Sequence, residues 1–239
     1  MMQPADKPSV SATFVERFDT AAALARDGQY DEALKAYARI HAPFKDRTED
    51  RVMTSEFLGM IELGKAYCLI KLERMQEAKE LFESRVMETA HTRLPKKTQY
   101  EYHFLHGNTL GNLGMITEMD TVMKRALQVA LHDLEDGSLC AKIWHWILYW
   151  AKRHEDWVYL EEQCYAARAF SIKHDNPEIQ DKALEFSCHA YRGLGKIEKA
   201  RRCVQNVLKK YQDEQTPADA VKEWEHFLKS LDTVGQGTG

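Results

Sequence analysis

Two imidazoles at His103-x-x-His106 share one face of a helix, the spacing of half a metal site. No third ligand stands nearby at a suitable spacing, so neither a metal nor a cofactor is expected. Cys188 and His189 are adjacent, and on a helix their side chains point in different directions, which rules out a chelate. Cys188 reads as a core residue. His41, His91, His132 and His174 all fall near the ends of helices, where the partial negative charge of a C-terminus favours an imidazole for ordinary reasons. The carboxylate pair Glu161-Glu162 lies on a solvated helix face. The chain contains no phosphate-cradling loop, nucleophile elbow or H-E-x-x-H motif. No catalytic residue is assigned, and the expected mode of action is binding, not catalysis.

The other residues of chemical interest form the stretch Trp144-His145-Trp146-Ile147-Leu148-Tyr149-Trp150. Tryptophan and tyrosine dominate binding energies at interfaces. Helical spacing nevertheless places Trp144, Ile147 and Leu148 on one buried stripe. Trp146, Tyr149 and Trp150 cannot all face the same way, so at least one is partly exposed, and these three are the interface candidates.

The elements that position these residues repeat. An apolar residue, two polar residues and a small or apolar one recur as Tyr30-Asp31-Glu32-Ala33, Met75-Gln76-Glu77-Ala78, Ile116-Thr117-Glu118-Met119, Trp157-Val158-Tyr159-Leu160 and Ile197-Glu198-Lys199-Ala200, the fourth being the weakest. Their last residues lie 45, 41, 41 and 40 positions apart. Such a period predicts a stacked array in which each unit buries its neighbour's apolar face. Helix pairs are expected at 11–26 with 30–42, 50–72 with 75–90, 98–113 with 116–131, 139–153 with 157–173 and 178–193 with 197–212. A capping helix, 217–231, carries Ala220, Val221, Trp224, Phe227, Leu228 and Leu231 at helical spacing behind Thr216-Pro217. Gly28, Gly114 and Gly195 each precede the closing residue of a signature by five positions, where a left-handed residue ends a helix. The breaks between pairs are His41-Ala42-Pro43, Leu94-Pro95, Glu135-Asp136-Gly137-Ser138 and Asp175-Asn176-Pro177. The fold class is all-α, with one array over residues 11–232 and flexible ends at 1–10 and 233–239.

Composition narrows the class further. Of the 239 residues 44% are hydrophobic, enough for a continuous core. A net charge of −4 gives no reason to expect a nucleic-acid partner. The five cysteines are scattered without a C-x-x-C pair, which fits a reduced, intracellular setting. Met1–Ser9 has no apolar h-region, and the longest apolar-looking run, 143–151, is far below the roughly 20 residues a bilayer needs. The expectation is a cytoplasmic protein with no membrane contact.

Taken together, the residues resemble the tetratricopeptide repeat. The positions that carry the likeness are Ala21, Leu24, Ala33 and Tyr37 in the first copy, Ala66, Leu69, Ala78 and Phe82 in the second, and Gly107, Leu110, Met119 and Met123 in the third. The fourth copy offers Trp144, Leu148, Ala151, Leu160 and Cys164, and the fifth Leu184, Cys188, Tyr191, Ala200 and Val204. The family's unit is about 34 residues, so this longer period marks a divergent array. Larger second-helix residues are matched by smaller first-helix ones: Gly107 is expected to face Met119, and Ala151 to face Leu160. The resemblance implies an α-solenoid of antiparallel helix pairs, a right-handed superhelix whose first helices line a concave groove that binds a peptide or a partner helix. By position that groove holds Asn108 and Asn112, then Lys142, His145, Tyr149, Lys152 and Arg153, then Lys182, Glu185, His189 and Arg192. Its C-terminal half is basic and aromatic, suited to an acidic peptide or a C-terminal carboxylate. The family's carboxylate clamp needs Lys-x-x-x-Asn, which Phe104-x-x-x-Asn108 and Phe18-x-x-x-Ala22 do not supply.

The function expected is a non-catalytic interaction module or adaptor. One alternative is a peptide-sensing regulatory protein; an enzyme with a site between helices is the third. Phe14, Phe18 and Tyr37 at the first pair lack a preceding helix to cover them and are candidates for a homodimer contact.

Overall fold

The computed structural model describes residues 12–41, 51–213 and 217–235. The expected flexible end at 1–10, residues 236–239 of the one expected at 233–239, and the break at Ala42-Pro43 lie outside the described residues. Among the described residues the chain is helical with no strand. Contacts divide it into two compact units, residues 1–129 and 130–239.

The first unit contains α1 (Ala12–Arg26), α2 (Tyr30–His41), α3 (Arg51–Lys71), α4 (Met75–Phe82), α5 (Arg85–Ala90), α6 (Lys96–Asn112) and α7 (Ile116–Gln128). Helix α3 packs on both α2 and α4, and α6 packs on α4 and pairs with α7. The helix expected over 75–90 is broken at Glu83-Ser84. Ser84 is extended, and its hydroxyl accepts a hydrogen bond from the Met87 amide at 3.3 Å, an N-cap that starts α5 afresh. Phe18 and Tyr37 are core rings: their centroids lie 5.7 Å apart, and Phe18 packs at 5.6 Å on Phe57 of α3. Tyr37 is buried, so it presents no surface for a homodimer.

The second unit contains α8 (Gly137–Arg153), α9 (Trp157–His174), α10 (Pro177–Gly193), α11 (Ile197–Asp213) and α12 (Ala218–Gly235). Side-chain caps open three of these helices. Asp136 accepts from the Ser138 and Leu139 amides, Asp156 from the Tyr159 amide, and Asn176 from the Ile179 amide with Pro177 in the first turn. Helix α10 packs on α8, α9 and α11, and α12 packs on α11. Leu231 of α12 is buried in a cluster with Cys188, Ala200, Cys203, Val204 and Val207, so the last hairpin's apolar face is covered. Helix α12 runs to Gly235, four residues past its expected end.

One turn precedes all five signatures. The amides of Gln29, Arg74, Met115, Asp156 and Lys196 bond the carbonyls of Leu24, Leu69, Leu110, Ala151 and Tyr191, five residues back, at 2.8–3.1 Å. This is the Schellman closure, which requires a left-handed residue just past the helix. Gly28, Gly114 and Gly195 supply it at φ +79°, +77° and +69°, but Glu73 and Glu155 take the same slot at +60° and +56°. Each signature's first residue opens a helix, and each closing residue, Ala33, Ala78, Met119, Leu160 and Ala200, is fully buried.

Close approach explains the helical glycines. A Cβ on Gly107 would stand 2.8 Å from Met123 Cγ, so it is Met123, one turn beyond the expected Met119, that fills the space. A Cβ on Gly64 would stand 2.5 Å from the Tyr37 ring, and one on Gly193 2.2 Å from the Trp157 indole.

Candidate binding face

Helix α8 separates its aromatic run by helical geometry. Trp144, Ile147, Leu148 and Ala151 are buried, as is Trp150, while Trp146 and Tyr149 are half-buried. The remaining face carries Lys142, His145, Tyr149, Lys152 and Arg153. Helix α10, packed alongside, brings Lys182, Glu185, His189 and Arg192 next to them.

Within this set the cations are of two kinds. Lys182 is neutralised by Glu185 at 3.1 Å, and Glu185 also accepts from the Tyr211 hydroxyl at 2.7 Å. By contrast, Lys152, Arg153 and Arg192 have no carboxylate partner among the described residues. Each is held by aromatic groups. Lys152 Nζ donates to His189 Nε2 at 3.1 Å and lies 5.9 Å from the Phe186 centroid. Arg153 donates to the Tyr149 hydroxyl at 3.3 Å and lies 5.7 Å from the Trp150 ring. Arg192 lies 5.0 Å from the Phe227 ring. Cation–π contacts hold a guanidinium or ammonium in place while leaving its charge uncompensated.

His189 sits at the centre. Its ring is 4.9 Å from Phe227 and 5.8 Å from Trp224, so α12 supplies one wall of the face. Burial, then the charges of Lys152 and Arg192, push the His189 imidazole down to about 4. It is neutral at pH 7, which leaves Nε2 free to accept the Lys152 proton. Burial and Arg192 in turn lower the Lys152 ammonium. His145 is lowered too, first by burial and then by Lys182, and its ring packs at 5.8 Å against Phe186. Beyond Arg192 the face opens into a cleft of about 630 Å³ lined by Arg192, Lys222, Glu223, His226, Phe227 and Ser230.

Asn108 and Asn112 belong to the first unit. Asn108 is half-buried and its amide donates to the Phe104 carbonyl at 3.1 Å, whereas Asn112 is the exposed last residue of α6. His103 and His106, on the same helix, are buried among rings. His106 stacks on Phe82 at 5.0 Å, and His103 meets Tyr102 at 4.9 Å and His91 at 5.9 Å. Burial pushes both down to about 4. Among the described residues no cluster of three or more histidine, cysteine or acidic side chains could hold a metal. No helix among them is long and apolar enough to cross a membrane.

The sequence did not associate Trp224, Phe227 and Lys222 with the binding face. Their helical spacing marks an apolar face on α12, but nothing in the spacing shows that His189 lies beneath it.

No protein-family model matches the chain, and no curated protein matches it. Among solved structures, the chain is similar to TPR-like repeats, in a variant form, of a Podosopora anserina protein described as a kinesin light chain. The TM-score is 0.62 at 15% identity, and the match covers 88% of this chain and 100% of that one. At that identity the likeness is one of fold. The fold is all-α, built of helix hairpins similar to tetratricopeptide-like repeats.

Proposed function

We propose that the protein is a non-catalytic interaction module that holds an acidic peptide segment, or a peptide's C-terminal carboxylate, on the face formed by α8, α10 and α12. One observation carries this reading: Lys152, Arg153 and Arg192 are positioned by rings and left without carboxylates. Burial first, and then two of these cations, depress the titration of His189 between them, so the site holds positive potential that an anion would relieve. Charge-assisted hydrogen bonds to a carboxylate are about twice as strong as neutral ones, and Arg192 and Arg153 can each present a bidentate fork. Tyr149, Trp146 and Phe227 add rigid apolar area beside them.

The repeat fold supports the same reading, because a stack of hairpins offers long helix faces to a partner. In this reading the protein acts as a scaffold or adaptor in the cytoplasm. Replacing Lys152 and Arg192 together by Glu should weaken binding of an acidic peptide by about a hundred-fold or more. Calorimetry with a peptide library, on wild type and on this variant, measures it. Unchanged affinity in a variant with native circular dichroism removes the assignment.

A further inference from the structure

Four large apolar side chains are exposed among the described residues: Val15, Val158, Tyr165 and Ile172, at 45%, 59%, 54% and 70%. Three of the four stand on α9, seven residues apart. Seven residues make nearly two turns, so Val158, Tyr165 and Ile172 form one stripe with about 10.5 Å between neighbours. The stripe belongs to a helix different from those that carry the basic face. The Tyr165 hydroxyl is tied to the Tyr191 hydroxyl of α10 at 3.1 Å, which fixes its ring on the surface.

The charges beside the stripe are ordered about the same residue. Glu162 lies three positions before Tyr165 and Arg168 three after, on opposite flanks of the stripe at 100° per residue. Both are exposed, and neither has an ion-pair partner among the described residues. Arg168 borders a groove of about 450 Å³ that Tyr165, Lys199 and Arg202 also line.

We infer that α9 is a self-association surface that pairs antiparallel with α9 of a second copy of this chain, about a two-fold axis through Tyr165. A two-fold contact must be self-complementary. Under that rotation Tyr165 meets its own copy, Val158 meets Ile172, and Arg168 stands level with Glu161 and Glu162 of the second copy, twice over. The small residue Ala169 falls beside Glu162, and Glu161 is itself neutralised by Lys196 at 2.5 Å. Only at the ends do like charges meet, Glu155 with Asp175. The two-fold match of both the apolar and the charged residues selects a second copy over an unrelated helix. A single helix pair is small beside the roughly 800 Å² per partner of a stable interface, so the dimer is weak, with a dissociation constant on the order of 100 μM.

Sedimentation equilibrium on the full chain, from about 10 to 500 μM, tests the assignment. The wild type is expected to show a reversible monomer–dimer equilibrium. Tyr165→Glu should raise the dissociation constant at least ten-fold with the helical circular dichroism unchanged. Glu162→Arg and Arg168→Glu should each weaken the dimer, and the two together should restore it. A wild-type monomer across the whole range overturns the inference. So does a dimer that Tyr165→Glu leaves intact, or a charge-swapped double variant no better than its parents. Because Val158, Tyr165 and Ile172 are not on the α8–α10–α12 face, either outcome leaves acidic-peptide binding to be judged separately.

Discussion

Helices α6 and α10 are the first helices of their hairpins, one in each unit, and each buries histidine among aromatic rings. In α6, His106 stacks on Phe82 and His103 meets Tyr102 and His91 edge-on, inside the first unit's core. In α10, His189 is covered by Trp224 and Phe227 but is also bonded to Lys152 and flanked by Arg192. Burial lowers all three, and cations add to it at both sites, Arg125 at His103 and His106, and Lys152 and Arg192 at His189; only the His189 ring is hydrogen-bonded to one of them. That direct contact between ring and cation is what the proposed binding reading rests on.

The largest test of that difference is functional. Charge reversal at Lys152 and Arg192 should abolish acidic-peptide binding, whereas His106→Phe, which keeps the stack on Phe82, should leave the affinity unchanged. Isothermal titration of both variants with one peptide decides it, and loss of binding in His106→Phe would erase the distinction between the units.

Glycine packing sharpens the comparison next. Gly193→Ala drives a Cβ to 2.2 Å from the rigid Trp157 indole, while Gly107→Ala meets the flexible Met123 side chain at 2.8 Å. Overpacking of this kind costs about 1–3 kcal/mol, and a helical Gly→Ala exchange returns about 1 kcal/mol. Gly193→Ala should lose roughly 2 kcal/mol in denaturant unfolding, with Gly107→Ala close to neutral.

Acid should then weaken both units. The folded values of His103, His106 and His189, about 4, lie below the ordinary 6.5. Between these values the unfolded chain binds more protons, so stability is complete above pH 6.5 and falls as pH drops toward 4. The expected loss from pH 7 to pH 5 is on the order of 1 kcal/mol per histidine, read from urea midpoints. His106→Phe should flatten that slope in proportion, and an unaltered slope would show that His106 does not contribute.

The smallest effects concern the repeated turn. Glu73 and Glu155 hold a left-handed conformation that costs a non-glycine residue about 1 kcal/mol. Glu73→Gly and Glu155→Gly should each raise stability by about 0.5–1 kcal/mol, and Gly28→Ala should lower it by about 1 kcal/mol. Differential scanning calorimetry would resolve these shifts.

Local rules carried much of the fold. Tyr30, Met75, Ile116, Trp157 and Ile197 open helices because a Schellman turn precedes each of them, and glycine made that turn readable in three copies. Glu73 and Glu155 carried no such sign. Their slot is visible only through the five-residue offset from Ala78 and Leu160. The Glu83-Ser84 break was missed because the apolar spacing of Phe82 and Val86, four residues apart, continues across it while Ser84 caps a new start. Met123 instead of Met119 fills the space over Gly107, a difference of one helical turn that residue size alone cannot specify. Trp144, Ile147 and Leu148 were legible as core from spacing. Trp150 was not, since it is buried off that stripe. The basic candidates were found by residue type, but their division into neutralised Lys182 and unneutralised Lys152, Arg153 and Arg192 depends on contacts between helices. So does the wall that Trp224 and Phe227 place over His189.

The most direct test is an NMR titration of the His189 ring, with and without an acidic peptide. The account predicts titration near pH 4 in the free protein and a clear rise when the peptide's carboxylates screen Lys152 and Arg192, with His103 and His106 unmoved. A peptide that binds while His189 keeps its free-state titration would contradict it.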